Sequence, residues 1–114
     1  MGALQRGAIV LVRFPFSDLS QTKLRPAVAL AGAGRGDWIL CQVTSKPYGD
    51  ARIIQLENSS FAEGSLRVTS YARPARLFTA GQGLVVARVD KLKPGLFEQI
   101  IESVVTLLRD ADRK

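Results

Sequence analysis

An arginine at the start of an apolar segment is the residue of this chain whose type and position best indicate chemistry. Arg25 and Pro26 follow a polar stretch, and an apolar run over residues 27–30 begins directly after them. Arginine is always charged and presents a rigid fork of donors, so at such a place it suits binding a phosphate. Because it does not readily give up a proton, it is better suited to stabilising charge on the phosphate than to transferring protons.

Hydroxyl groups end a second apolar segment. The run QVTS closes with Thr44 and Ser45, and a hydroxyl at a strand end could donate a hydrogen bond to a phosphate oxygen. The alternative for Thr44 is a β-branched residue that satisfies the end of a strand. Ser45 is its neighbour and a substitute for the same role. A further arginine, Arg73 in the run YARPAR, could also bind phosphate, and a surface or inter-subunit salt bridge is the alternative for it.

The composition excludes several classes of enzyme. The chain has no histidine and one cysteine, which removes Ser-His and Cys-His nucleophile pairs, histidine metal sites and nucleases that use imidazole as acid and base. The ten Asp and Glu residues are spaced singly, which argues against a metal-dependent nuclease, so we expect no metal ion and no cofactor. Cys41 lies in an apolar segment and is predicted to be a buried structural residue.

Metal-free cleavage of RNA stays open, because the ribose 2′-hydroxyl can act as an internal nucleophile and the protein need only position it and stabilise charge. The distribution of charge along the chain also favours RNA as a partner. The net charge is +6, and residues 1–93 hold 13 Lys and Arg against 6 Asp and Glu. Such a surplus favours an anionic partner such as RNA or an acidic peptide, the alternative being a surface kept soluble by charge.

Several polar residues around the loop 17–24 are candidates for contacts to RNA. Lys23 would add a phosphate contact. Phe14 and Phe16 share a face by strand alternation, and Phe16 is a candidate for stacking on a base, with burial in the core as the alternative. The full set of predicted RNA-binding residues is Lys23, Phe16, Gln21, Thr22 and Lys46.

The pattern along the chain predicts many short strands followed by one helix. Breaks rich in Gly, Pro and Asp separate the apolar runs, and a short helical turn capped by serine is predicted near residues 58–64. After Pro94, apolar residues recur at helical spacing to about residue 110. This favours a small antiparallel barrel or sandwich with a helix packed on it. The predicted strands are 8–14, 27–31, 38–44, 52–56, 66–69, 73–79 and 84–89.

The length of 114 residues predicts one domain over residues 1–114, and the 46% hydrophobic content excludes a disordered chain. No apolar run approaches the ~18 residues of a membrane span, and the N-terminus lacks the pattern of a signal peptide. We therefore expect a cytoplasmic protein with no membrane partner.

Four motifs in this order make the chain similar to the MazF/PemK family, the toxins of bacterial type II toxin–antitoxin systems. The segment 7–30 resembles the opening of the family, with GAIV, an apolar strand, a polar loop and Arg-Pro before a second strand. The runs ILCQVTS, SYARP and LFT and the final helix continue the resemblance over nearly the whole chain. The resemblance implies a mainly β fold with α, a small SH3-like antiparallel β-barrel plus a C-terminal helix.

The resemblance also implies roles for individual residues. Arg25 matches the catalytic arginine of the family by position and neighbours, and Thr44 matches the threonine or serine beside it. The alternative for Arg25 is a structural role, in which it caps the loop or pairs with Asp18. Arg73 matches an arginine that some members use in the reaction. Those members carry an aspartate two residues later, where this chain has Ala75, and this departure leaves the acid or base partner unassigned. In the family, the loop before the arginine gates the RNA groove.

The activity implied is that of a sequence-specific, metal-independent endoribonuclease that cuts single-stranded RNA and leaves a 2′,3′-cyclic phosphate and a 5′-hydroxyl. The implied partners are a second copy in a homodimer and a cognate antitoxin whose acidic, disordered tail fills the RNA groove. Two alternatives stay open: a non-enzymatic toxin that acts on DNA gyrase by protein–protein contact, and a degenerate relative that binds RNA or antitoxin without cutting. Arg25 and Thr44 favour the interpretation as a nuclease, and Ala75 leaves open the interpretation as a degenerate relative.

Overall fold

The computed structural model describes residues 4–15, 22–46, 52–63 and 69–110. Within these residues the chain forms seven strands, two 3-10 helices and one α-helix. All strand pairs are antiparallel. The elements are β1 (Ala8–Pro15), β2 (Thr22–Gly34), β3 (Asp37–Thr44), β4 (Ile54–Leu56), a 3-10 helix (Asn58–Ser60), β5 (Phe61–Glu63), β6 (Ser70–Gly81), a second 3-10 helix (Gln82–Leu84), β7 (Val85–Leu92) and α1 (Pro94–Arg109).

The described strands form one sheet that must curl strongly. Its strand order is β4-β6-β3-β2-β1-β7-β5, so β6 and β7 are four strand spacings apart, roughly 19 Å in a flat sheet. The connection between them is the 3-10 helix Gln82–Leu84, which even fully extended would reach only about 15 Å from Gly81 to Val85. The sheet therefore bends until β6 approaches β7, which makes a half-barrel.

One face of the sheet carries an apolar cluster rich in alanine, and we call it the inner face. Ala80 and Val85, on either side of the β6–β7 connection, both pack in the cluster on this face, so the curl of the sheet brings β6 and β7 together here. Four of the seven buried residues are alanines, and Trp38 and Phe78 pack against the cluster. The buried cluster consists of Ala8, Val10, Val12, Ala27, Ala29, Leu40 and Ala80.

The opposite face carries the larger core and is covered by α1. Phe97, Ile100 and Val104 are the buried residues of the helix, and they pack against the strand residues of the second cluster, which include Ile9 and Val28. Pro94 lies at the first turn of α1, where its missing N–H costs no helical hydrogen bond. The helix thus covers one face of the sheet, and the inner face is covered only by the curl of the sheet itself.

The predicted fold is confirmed as a mainly β protein, with an antiparallel half-barrel and one C-terminal helix, but several boundaries were wrong. The break predicted over 32–37 is only a two-residue turn at Arg35 and Gly36, both with positive φ, as tight hairpins prefer. β6 begins earlier and ends later than the predicted strand 73–79. The predicted turn near 58–64 is a 3-10 helix over Asn58–Ser60, followed by the strand β5. Most of the predicted strand 66–69 lies outside the described residues, and Thr69 itself is not in a strand.

No helix among the described residues is long and apolar enough to cross a membrane.

Asp90 is a buried carboxyl in the helix-covered half of the molecule. It lies opposite Ile9 of the larger core and is 4% exposed, and its Oδ2 atom has no hydrogen-bond partner among the described residues. Loss of water around the carboxylate raises the pKa of Asp90, since burial penalises the charged form. The ionised group therefore destabilises the folded protein at neutral pH.

We predict that Asp90→Asn raises the free energy of unfolding at pH 7 by about 1 kcal/mol, because it removes a carboxylate whose ionised form is disfavoured by burial. In the wild type, the raised pKa means that the folded state binds the proton more tightly than the unfolded state. Stability is therefore lost as the pH rises from about 4, the usual unfolded value, through the folded pKa. Denaturant unfolding at several pH values measures this. A variant whose stability relative to the wild type does not increase over this range would contradict the prediction.

Candidate active site

Strand pairing brings Arg25 and Thr44 to neighbouring positions. Ala27 of β2 and Gln42 of β3 form the last pair of this ladder, and extending the same register by two residues on each antiparallel strand places Arg25 opposite Thr44. Residues two apart in a strand share a face, so both side chains lie on the inner face with Ala27. Directly opposite residues have Cβ atoms about 5 Å apart, close enough for both side chains to contact one phosphate.

The same line of positions continues onto two more strands. Thr44 pairs with Tyr71 of β6, and Tyr71 pairs with Gln55 of β4. On the other side, Arg25 pairs with Val12 of β1, which is fully buried. We call the four side chains Arg25, Thr44, Tyr71 and Gln55 the polar row. It crosses four neighbouring strands, from the buried edge of the inner cluster to β4, which is the last strand of the sheet on that side.

The polar row lies where the apolar inner face ends. Along β2 the inner face reads Ala29, Ala27 and then Arg25, so the charged residue follows directly on two buried alanines. Arg25, Thr44 and Tyr71 are half-buried, and Gln55 is exposed. A charge at such a boundary interacts more strongly with a bound anion than a fully solvated one would, because the dielectric is lower beside the core.

A local hydrogen bond orients the hydroxyl of Thr44. The backbone N–H of Lys46 donates to Thr44 Oγ1 at 3.2 Å, a turn in which the side chain replaces a backbone acceptor. Since this bond uses the oxygen as acceptor, the hydroxyl hydrogen remains to be donated to a ligand. The same turn places Ser45 and Lys46 in exposed positions beside Thr44.

Arg73 lies in a large bulge of β6. Between the pairs Cys41–Leu77 and Val43–Ala72, β3 advances by two residues while β6 advances by five. The extra residues are those of the run RPAR, in which the proline, Pro74, is among the fully buried side chains. A bulge tolerates proline because no ladder hydrogen bond is required of it. Arg73 is half-buried, and Ala75 and Arg76 are exposed, so the bulge places two arginines on β6 within five residues of Tyr71.

The predicted structural role of Cys41 agrees with its environment. Its side chain is fully buried and packs in the helix-covered core, on the face opposite Thr44. Burial raises the pKa of the Cys41 thiol to about 12, although a hydrogen bond from the Arg73 backbone acts in the other direction. A thiol with this pKa is not a nucleophile at neutral pH.

The residues that neighbour Arg25 and Thr44 in the strand pairing include no acidic residue with a described side chain. Their same-face neighbours with described side chains are Val12, Ala27, Gln42 and Tyr71, and Ala75 stands where an acid was expected from the resemblance. Across the described residues there is no group of three or more Cys, Asp or Glu side chains that could hold a metal ion. Arg25 and Thr44 thus offer a cation and a hydroxyl donor to an anion.

Several predicted RNA-binding residues are only partly placed by the structure. Phe16 and Gln21 lie outside the described residues. The backbone of Thr22 and Lys23 begins β2, opposite the end of β1, but their side chains lie outside the described part. Lys46 is placed beside Thr44. Sequence reasoning missed Gln55 entirely; the alternation in Ile54-Gln55-Leu56 indicated its face but not its neighbours.

The fold is shared with solved structures of toxin endoribonucleases. MazF from Deinococcus radiodurans, in a MazE-MazF crystal, matches with a TM-score of 0.76 and 17% identity over 95% of this chain and 98% of that one. An endoribonuclease from a mycobacterial species, in complex with its cognate antitoxin, matches with a TM-score of 0.71 and 14% identity over 96% of each chain. The Mycobacterium tuberculosis toxin MazF-mt6 matches with a TM-score of 0.70 and 13% identity over 90% of this chain and 96% of that one. The sequence itself matches no protein-family model and no curated protein.

We predict that the Cys41 thiol of the native protein reacts with an aromatic disulfide at pH 8 at least a hundredfold more slowly than a free thiol, because a pKa of about 12 leaves almost no thiolate. In guanidinium chloride one thiol per chain should react at the normal rate. A matched control combines Cys41→Ala with Ser45→Cys, which moves the thiol to an exposed position and should restore fast labelling. Rapid labelling of the folded wild type would show that Cys41 is accessible.

Proposed function

We propose that this chain is a MazF-like toxin that cleaves single-stranded RNA, with Arg25 and Thr44 at the phosphate of the cleaved bond. The observation that carries the proposal is the neighbouring placement of these two residues at the end of the apolar inner face. The fold shared with toxin endoribonucleases supports it.

The proposed reaction needs no group beyond the RNA itself as nucleophile. The ribose 2′-oxygen loses its proton and bonds to the phosphorus, the bond from phosphorus to the 5′-oxygen breaks, and that oxygen takes up a proton. The products are a 2′,3′-cyclic phosphate and a 5′-hydroxyl. Arg25 stabilises the charge that grows on the phosphate oxygens, and Thr44 donates its hydroxyl hydrogen to one of them. Arg73 of the bulge and Lys46 bind flanking phosphates.

The proposed partners follow from the charge of the site and from the solved relatives. The toxin of D. radiodurans was crystallised with MazE, and the mycobacterial endoribonuclease with its cognate antitoxin. We infer a cognate antitoxin whose acidic, disordered tail occupies the same basic groove as RNA. We also propose that the protein acts on mRNA in the cytoplasm as a homodimer, without a metal ion.

We predict that Arg25→Ala lowers the rate of RNA cleavage by roughly 100-fold to 1,000-fold, the usual loss when one stabilising donor of a transition state is removed. The assay incubates purified protein with mixed-sequence RNA in EDTA and maps the cut ends. Arg35→Asn is the matched control, because Arg35 is an exposed arginine in the turn at the other end of the β2–β3 hairpin, and asparagine tolerates its positive φ.

Discrete cuts that end in cyclic phosphate and disappear in Arg25→Ala, but not in Arg35→Asn, would support the nuclease. Cleavage that requires an added metal ion would contradict the proposed mechanism. Failure of the folded wild type to cut a broad set of RNAs would contradict the activity itself. Growth inhibition that survives Arg25→Ala and is relieved by gyrase mutations would favour the gyrase-directed toxin instead.

For Thr44 we predict that Thr44→Val slows cleavage by about tenfold to a hundredfold, while Thr44→Ser stays within a few-fold of the wild type. Valine keeps the β-branched shape but removes both the hydroxyl donor and the acceptor for the Lys46 N–H, and a hydrogen bond to a charged group is worth about 1.5–3 kcal/mol. Single-turnover cleavage of one RNA containing a mapped cut site measures the rate. Equal rates for the two variants would show that Thr44 only satisfies the end of strand β3 and has no part in cleavage.

A further inference from the structure

Two members of the polar row have no part in the proposed reaction. Tyr71 and Gln55 lie beyond Thr44 on the same face, in the order of the strands toward the sheet edge. Neighbouring positions in this row are about 5 Å apart, so Gln55 is roughly 10 Å from Thr44. Groups at these distances from the cleaved phosphate can contact the next one or two nucleotides of a bound strand.

The chemistry of Tyr71 suits contact with a base rather than with a phosphate. Its side chain is half-buried, so part of the ring is held by the protein while part stays accessible. An aromatic ring on an open sheet face is a stacking platform for any unpaired base. The neighbouring arginines attract the phosphate backbone of the RNA, so the tyrosine ring is available to contact a base.

The position of Gln55 holds its amide on the same face. Ile54 packs against the helix-covered core, and Leu56 is fully buried within it. Because strand residues alternate between faces, these two anchors orient Gln55 toward the polar row. The amide is uncharged, exposed and offers both donor and acceptor groups. Such a group can recognise the edge of one base, whereas a phosphate contact would favour a cation.

We infer that single-stranded RNA crosses the sheet along the polar row, with the base next to the cleaved bond stacked on Tyr71 and the edge of the following base hydrogen-bonded by Gln55. This inference rests on the proposed function. It assigns to Gln55 the recognition of one base at a fixed distance from the cut, and to Tyr71 binding without base preference. β4 thereby sets part of the target sequence, although it contributes nothing to the reaction.

The test maps every cut in a random-sequence RNA library for the wild type, Gln55→Ala and the control Gln99→Ala, an exposed glutamine on α1. Gln55→Ala should lose at least tenfold of the preference at one position, because it cuts the best wild-type site more slowly and cuts sites with other bases there at nearly the wild-type rate. Gln99→Ala should leave the whole profile unchanged. An unchanged profile in Gln55→Ala, with normal cleavage, would overturn the assignment and leave the nuclease standing.

Binding separates the role of Tyr71 from a structural one. The probe is an RNA that contains the best wild-type site and carries a 2′-O-methyl group at the cleaved nucleotide, which prevents cleavage. If the wild type cuts no RNA, the random library itself is the probe. Tyr71→Ala should weaken binding roughly fivefold to a hundredfold, as loss of one stacked base does, and Tyr71→Phe should restore it. Thermal unfolding of each variant shows whether the fold is intact.

The outcomes distinguish the inference from the function on which it rests. Binding without cleavage, weakened by Tyr71→Ala and restored by Tyr71→Phe, would support the RNA path and overturn the nuclease. Equal affinity of folded Tyr71→Ala and the wild type would overturn the path. Absence of both binding and cleavage in the wild type would overturn both.

Discussion

The short connection between β6 and β7 forces the whole sheet to bend. Three residues join strands that lie four spacings apart in the sheet, so the sheet has to curl. The buried cluster on the inner face holds four alanines beside Leu40, and Trp38 and Phe78 pack against it. The buried side chains on the other face are mostly larger, and α1 covers them. The two cores therefore differ in the size of their buried side chains.

The polar row lies where this apolar cluster ends. Burial disfavours charged groups, and Arg25 lies at the first inner-face position of β2 beyond the buried alanines. There its side chain is half-buried. The Lys46 turn orients the hydroxyl of Thr44. The β6 bulge adds two arginines to the same strand as Tyr71, while Pro74 between them remains buried.

Among the described residues, the two buried titratable groups with raised pKa values lie on the other face. Cys41 packs in the helix-covered core, and Asp90 lies opposite Ile9 of that core. In both, loss of water is the dominant cause of the raised pKa. Their position keeps them away from the polar row, so their titration affects the stability of the fold and not the chemistry proposed for the site. Stability and the proposed chemistry are separated because side chains along each strand alternate between the two faces of the sheet.

Features that depend on near neighbours in the chain could be predicted from the amino-acid pattern. Proline and helical spacing located α1, alternating apolar runs located most strands, and the absence of histidine excluded several kinds of catalytic site. Arg25 and Thr44 could be singled out because each is a polar residue at one end of an apolar run. Which residues become neighbours across the sheet could not be predicted in this way. Period-two alternation assigns a side chain to a face, but its neighbour on the next strand depends on strand order, register and bulges, and these depend on the packing of the whole chain. The neighbours of Gln55 were therefore unknown until β4 was seen to pair with β6, and the position of Arg73 was unknown until the β6 bulge was seen.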